Sequence, residues 1–219
     1  MSRQLRLGLR QPPALSRESF VEGPSNAAAL AALDAWPAWP GGALVLFGPE
    51  GVGKTHLASA WAQRANAAVL SRETPEPAQV ECGPAVLEDV DQGVADEALF
   101  HLINLAPRGG GLLMTARRPP TLWAAALPDL RSRLNALYVV ELKEPDDQVL
   151  EGVLRNLFRE RSIRPPQEVY PYLLRRMPRS VPAAREVVQR MDEAGDGPIS
   201  RWLAREVLED QSQNLDLFE

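Results

Sequence analysis

Eight consecutive residues, Gly48-Pro49-Glu50-Gly51-Val52-Gly53-Lys54-Thr55, meet the spacing G-x-x-x-x-G-K-S/T of a phosphate-gripping loop. The chemistry follows from the residue types. Glycines let successive backbone N–H groups turn toward one anion, and a helix N-terminus behind them adds partial positive charge. Lys54 would reach the terminal phosphates, and the Thr55 hydroxyl would ligate Mg²⁺. The expected ligand is therefore ADP or ATP with Mg²⁺. A chance match in a Gly-rich turn is the competing reading, and an apolar run before the loop with a helical pattern after it argues against chance.

Nucleotide chemistry needs carboxylates as well. Glu88-Asp89 supply a pair just after the apolar run Ala85-Val86-Leu87. One would hold the metal (Glu88, with Thr55) and the second would polarise an attacking water. The usual order places Asp first, and Glu88 is a methylene longer, so hydrolysis by this chain is expected to be weak or absent. Two solvated carboxylates at a strand end is the alternative. Thr115 ends another apolar run, Leu112-Leu113-Met114, where a polar residue could orient water beside a γ-phosphate. Asp129-Leu130-Arg131-Ser132-Arg133-Leu134 carries two arginines, either a solvated surface pair or a source of an arginine finger. Such a finger accelerates hydrolysis on a neighbour by about 10³–10⁵.

These residues need elements to hold them. Ser25-Asn26 precede an Ala/Leu run and read as a capped helix reaching Ala35. Ala43–Phe47, Ala67–Leu70, Ala85–Leu87, Leu112–Thr115 and Tyr138–Leu142 read as five strands, the continuous apolar ones buried on both faces. Helical spacing fills His56–Asn66 and Glu97–Ala106, while residues 71–84 read as a short connection. Alternation of strands and helices implies an α/β fold with a parallel five-stranded sheet sandwiched by helices. After Pro145 the pattern is helical only: Asp146–Arg161, Pro166–Arg176, Pro182–Glu193 and Pro198–Asp210, several opening on Pro or Asp. The expected organisation is a flexible arm (1–19), an αβα base (20–144), a small all-α lid (145–210) and a tail (211–219).

The bulk composition is compatible. With 45% apolar residues among 219, a sizeable core is available. No run of about 18 apolar residues suggests a membrane span, and the basic N-terminus lacks the apolar stretch of a secretion signal. A single cysteine, Cys82, suits a reducing cytoplasm. The net charge of −5 argues against strong direct nucleic-acid binding as the main activity. His56 reads as loop–helix packing, His101 as a helix-face residue, and Trp36, Trp39, Trp61, Trp123 and Trp202 as packing residues.

Taken together, these motifs resemble the AAA+ module of the DnaA family, from about Phe20 to Leu208. Phe20-Val21-Glu22-Gly23-Pro24-Ser25-Asn26 is similar to the F-x-x-G-x-S-N segment that opens the family's adenine pocket, which implies ligand contacts for Phe20 and Asn26. Gly48–Leu57 is similar to its G-x-x-G-x-G-K-T-H-L loop, His56 included. Leu113–Pro120 resembles the first sensor strand, with Thr115 at the sensor position. Leu127–Leu134 is close to the arginine-finger segment, with Arg133 on the finger. Val181–Met191 resembles the second-sensor segment. Pro182 falls where the initiators carry arginine, and Arg185 overlays the arginine of the shorter homologues, so the sensor role is carried to Arg185.

The resemblance favours the short regulatory-inactivator (Hda-type, alphaproteobacterial HdaA) branch of that family. Ser71–Ala85 leaves no room for the paired helices that initiators insert for single-stranded DNA, and the chain ends soon after its lid. That branch is tethered to the sliding clamp (the β subunit of DNA polymerase III) by Q-L-x-L-x-L, and Gln4-Leu5-Arg6-Leu7-Gly8-Leu9 is similar. The physics is an extended peptide whose alternate leucines fill an apolar cleft. Asn214-Leu215-Asp216-Leu217-Phe218 resembles the Q-L-D-L-F form. The resemblance thus implies a cytoplasmic regulator that, with the DNA-loaded clamp, promotes hydrolysis of DnaA-bound ATP through Arg133, with a homodimer or oligomer left open. The alternative is an autonomous DnaA-like ATPase or origin-binding initiator fragment. A nucleotide-dependent loader of another replication factor is a third possibility, disfavoured by the D-L-R-S-R and T-A-R-R-P-P stretches.

Overall fold

A computed structural model describes residues 15–194 and 199–215, with the side chains of 210–215 excepted. Five strands, β1 (Ala43–Phe47), β2 (Ala68–Val69), β3 (Ala85–Leu87), β4 (Leu112–Ala116) and β5 (Tyr138–Glu141), form one parallel sheet in the order β2-β3-β4-β1-β5. The expected parallel five-stranded α/β architecture is present.

The period-2 geometry of the strands sorts side chains onto two faces. Leu44 and Leu46 of β1, Val86 of β3 and Leu113 of β4 point to one core. It is shared with α1 (Ala27–Asp34) and α2 (Lys54–Ala65) through Leu30, Leu33, Leu57 and Trp61. Val45, Leu87, Met114 and Ala116 point to the other. There they meet α3 (Pro77–Cys82), α4 (Asp96–Gly109) and α5 (Pro128–Asn135) through Val80, Leu99, Leu102, Leu130 and Leu134. A one-residue slip of any strand would exchange these faces, so the register is strongly specified.

That register places the chemistry. Leu46 pairs with Thr115 across β1 and β4, and Leu87 pairs with Met114 across β3 and β4. The ends of β1, β3 and β4 therefore come level, with Gly48, Glu88 and Thr115 along one crest. The Gly48 N–H donates to Ala116 O at 3.2 Å, which ties the start of the loop to the end of β4. Crevices outside the carboxyl ends of parallel strands are where such sheets bind ligands.

The remaining helices, α6 (Asp147–Glu160), α7 (Val169–Leu174), α8 (Val181–Glu193) and α9 (Arg201–Leu215), enclose their own core. It contains Leu150, Leu154, Phe158, Tyr170, Leu173, Val187, Val188, Met191 and Ala204. Asp146 caps α6 by accepting the Val149 N–H at 2.9 Å, and Ser180 caps α8 by accepting the Ala183 N–H at 3.3 Å.

Several elements differ from the sequence expectation. The connection between β2 and β3 contains the short helix α3, whose Val80 is fully buried against the sheet. Ser16–Ser19, expected within a flexible arm, form a turn held by His56, whose Nε2 lies 2.8 Å from Ser16 O and 3.2 Å from Ser19 Oγ. Asn26 is buried but does not cap α1. Its amide bridges backward instead, donating to Val21 O and accepting the Gly23 N–H, because the preceding turn leaves those groups unpaired. Trp36, Trp39, Trp61 and Trp123 pack as expected, whereas Trp202 is 71% exposed on α9.

Candidate functional site

The phosphate loop joins β1 to α2. Gly51 and Gly53 adopt left-handed backbone, at φ +76° and +107°, which turns loop amides toward the helix end. At Gly48 the constraint is space, since a methyl there would lie 2.1 Å from Leu142 O. Val52 points back into the core, and a methyl on Gly53 would meet the Phe20 ring at 3.1 Å. Phe20 in turn packs edge-on against His56, with ring centroids 5.1 Å apart. Phe20 and His56 thus brace the loop from behind.

A cavity of about 660 Å³ opens between this loop and α8. Glu50, Gly51, Gly53, Lys54, Thr55 and Asp89 line one side together with Arg117, and Val181, Pro182, Arg185, Glu186, Gln189 and Arg190 line the other. Four cations face three carboxylates, a balance suited to a polyanionic ligand. The loop and α8 are joined directly: the Val181 N–H donates to Gly51 O at 3.1 Å.

Lys54 is only 8% exposed, and its ammonium donates to Gly48 O at 2.8 Å and Pro49 O at 2.7 Å. Burial pushes its pKa below the ordinary lysine value. The Asp89 charge opposes that shift and the Arg117 guanidinium adds to it.

Of the acidic pair, Asp89 lines the cavity. Glu88 lies half-buried beside it and is not among the lining residues. Asp89 holds left-handed backbone at φ +52°, and its N–H donates to Thr115 Oγ1 at 3.0 Å. Thr115 is 1% exposed, so its hydroxyl fixes the turn that presents Asp89. Thr55 is exposed and lines the cavity. A hydroxyl and carboxylates are hard oxygen donors, so Thr55, Asp89 and Glu88 fit Mg²⁺ chemically. The described residues contain no group of three or more His, Cys, Asp or Glu that could hold a metal alone. A metal here would therefore need oxygen donors from elsewhere, such as the phosphates of a ligand.

The two arginines of α5 separate. Arg131 is engaged in the fold, donating to Trp123 O at 2.7 Å and Thr121 O at 3.4 Å. Arg133 is exposed and does not line the cavity. Arg185 does line it, as does Pro182 at the position where the resembled initiators carry arginine. Phe20, Asn26, Gly48, Pro49, Val52 and His56 are not among the lining residues. Gln4, Leu5, Leu7, Leu9, Leu217 and Phe218 lie outside the described residues, as does the side chain of Leu215, whose backbone ends α9.

Sequence reasoning gave no role to several residues found here. Arg117 pairs with Glu50 at 3.0 Å across the cavity mouth. The Asp91 carboxylate, 3% exposed, accepts the Arg117 and Arg118 N–H groups and so pins the exit of β4. The segment leading to α1 is sewn to α6, because Ser25 N–H donates to Asp146 Oδ2 at 2.8 Å and the Asp146 N–H to Ser25 Oγ at 3.2 Å. Gly23 and Gly152 permit this contact: methyls there would lie 2.5 Å from Val149 and Val21 side-chain carbons. A charged residue two positions beyond a polar strand end was the available signal for Arg117. Asp91 had none, since an acid in a 3-10 turn is ordinary.

Residues 13–73 match the family model described as the bacterial DnaA ATPase domain. The chromosomal replication initiator protein DnaA of Caulobacter vibrioides (strain NA1000 / CB15N) is 31% identical over 87% of this chain and 46% of its own length. The chain spans about half the length of the curated relatives it matches. Among solved structures, domain III of Thermotoga maritima DnaA superposes with a TM-score of 0.72 at 21% identity, covering 90% of this chain and 97% of that one. AMPPCP-bound DnaA from Aquifex aeolicus gives 0.69 at 19% identity over 93% and 70%. These two show the fold. Among the described residues no helix is long and apolar enough to cross a membrane. With the crest of β1, β3 and β4, the loop and the bundle arranged as above, the chain carries a DnaA-family AAA+ domain.

Proposed function

We propose that the chain is a nucleotide-binding module of the DnaA-related replication machinery, taking ADP or ATP with Mg²⁺ in the cavity between the phosphate loop and α8. Lys54, the loop amides and Arg185 would hold the phosphates. Thr55, Asp89 and Glu88 would hold the metal, which when bound neutralises phosphate charge. Thr115 orients the acidic turn through the Asp89 N–H.

Within that module Arg133 acts outward. It is a finger for ATP held by DnaA, and the chain is then a regulator that promotes hydrolysis on that partner, recruited to the sliding clamp through Gln4–Leu9. The observation that carries this reading is the division of labour on α5: Arg131 is spent on Trp123 O and Thr121 O, while Arg133 is exposed and away from the chain's own cavity. A guanidinium so placed can serve a neighbour and not this site. The test is DnaA ATP turnover on clamp-loaded DNA with and without Arg133→Ala, and equal stimulation by both would sink the finger.

A second reading is an autonomous DnaA-like ATPase or origin-binding initiator fragment. The names of the matched relatives, replication initiators, favour it over the first. The presence of Lys54, Thr55 and Asp89 in one cavity also suits hydrolysis in place. On that reading the chain alone turns over ATP and binds DNA with steep salt dependence.

A further inference from the structure

The phosphate end of the cavity holds a guanidinium that the loop motif does not require. Arg117 leaves β4 two residues after Thr115, lines the cavity and reaches Glu50 of the loop, Nη2 to Oε2 at 3.0 Å. Its main chain is fixed, because Asp91 accepts its N–H and that of Arg118 at 3.1–3.2 Å from a nearly buried carboxylate. Its side chain is held more lightly. The Arg117 side chain is 50% exposed and the Glu50 side chain 76% exposed, and an ion pair so open to water is weak and screened by salt.

A terminal phosphate is a stronger partner. It carries more charge than a carboxylate, and its oxygens match the guanidinium fork in a bidentate way. Arg117 is also close enough to Lys54 for its charge to disfavour protonation of that ammonium, so a third phosphate arriving at Lys54 lies within the field of both cations. Glu50 is the chain neighbour of Gly51, whose carbonyl accepts the Val181 N–H. An exchange at Glu50 therefore happens at the joint between loop and bundle.

We propose that Arg117 is a sensor of the third phosphate. Glu50 holds its guanidinium at the cavity mouth, a nucleoside triphosphate draws it onto the terminal phosphate, and a diphosphate leaves the Glu50–Arg117 pair intact. The inference rests on the nucleotide-binding reading above.

The test is isothermal titration of the full chain with Mg-ADP and with Mg-AMPPCP, a triphosphate that is not hydrolysed, read as the ratio of the ADP Kd to the AMPPCP Kd. Arg117→Gln should lower that ratio about tenfold, the size expected for losing one charge-assisted contact. Glu50→Gln, which releases the guanidinium, should move the ratio the opposite way. An unchanged ratio in Arg117→Gln, or a fall in both variants, overturns the sensor. A wild-type chain that binds neither nucleotide overturns the parent reading as well, so the two failures are distinguishable.

Discussion

Replacing Gly51 by alanine probes the joint between the phosphate loop and α8 without removing any group that could touch a ligand. Gly51 sits at φ +76°, and a methyl on it would lie 2.8 Å from Pro182 Cδ, 3.0 Å from Pro182 Cγ and 3.3 Å from Ser180 Cβ. Left-handed backbone costs a residue with a Cβ about 1–2 kcal/mol. Crowding against a proline ring, which cannot rotate away, adds about 1–3 kcal/mol. The alternative to paying both is to open the joint, at the expense of the Val181 N–H to Gly51 O bond. Either way, closure of α8 over the cavity is penalised. Gly51→Ala should weaken ADP and ATP binding about a hundredfold, equivalent to roughly 2.7 kcal/mol. Titration calorimetry on the full chain reads this directly. The double variant Gly51→Ala/Pro182→Ala keeps the backbone cost but removes the ring, and should recover about tenfold of the loss. Wild-type affinity in Gly51→Ala, or strict additivity in the double variant, would refute the reasoning that the close fit of Gly51 to Pro182 supports nucleotide binding.

Two further outcomes follow from the polar contacts. Thr115→Val should destabilise the fold by about 1–3 kcal/mol in urea denaturation, because the Asp89 N–H loses its acceptor in a site 1% exposed, while Thr115→Ser should retain most of the stability. Asp146→Ala should cost about 1 kcal/mol through the lost cap of α6, with the Ser25 tie lost as well. The Asp146 contribution should also depend on pH. Burial raises its carboxyl, but the N–H groups of Val149 and Ser25 prevail and hold it below the ordinary value of 3.8. A depressed carboxyl stabilises fully above its unfolded value, and that stability is lost as pH falls through the lower folded value. The difference between wild type and Asp146→Ala should therefore be constant near neutrality and shrink only in strong acid, as read by denaturation at stepped pH.

Much of the fold was legible because burial on both faces leaves a continuous apolar signature. Ala43–Phe47 and Leu112–Met114 could scarcely be anything but interior strands, and the loop between β1 and α2 announced itself by glycines whose positive φ the structure displays. The short helix α3 was not legible, since Pro77–Cys82 has one buried residue, Val80, and no amphipathic period to read. Asn26 was misread as a cap because its local pattern is that of a cap. Only the folded turn reveals that Val21 O and the Gly23 N–H claim its amide first. At the site, Glu50, Gly51, Gly53, Lys54 and Thr55 of the loop motif line one cavity with Asp89. Arg117 and Asp91 were missed because their partners, Glu50 for the first and the 117–118 main chain for the second, are distant in sequence, at separations that no local spacing records. The division between Arg131 and Arg133 was equally invisible, for it depends on where the Trp123 and Thr121 carbonyls fall after folding.

The proposed function stands on the cavity between the phosphate loop and α8 being a nucleotide site gripped by Lys54. Titration of the full chain with ADP and ATP in the presence of Mg²⁺ tests it most directly, beside Lys54→Ala. Saturable binding at one site is expected in the wild type, with a loss of at least about a hundredfold in the variant. Absence of binding in the wild type, or equal affinity in Lys54→Ala, would contradict it.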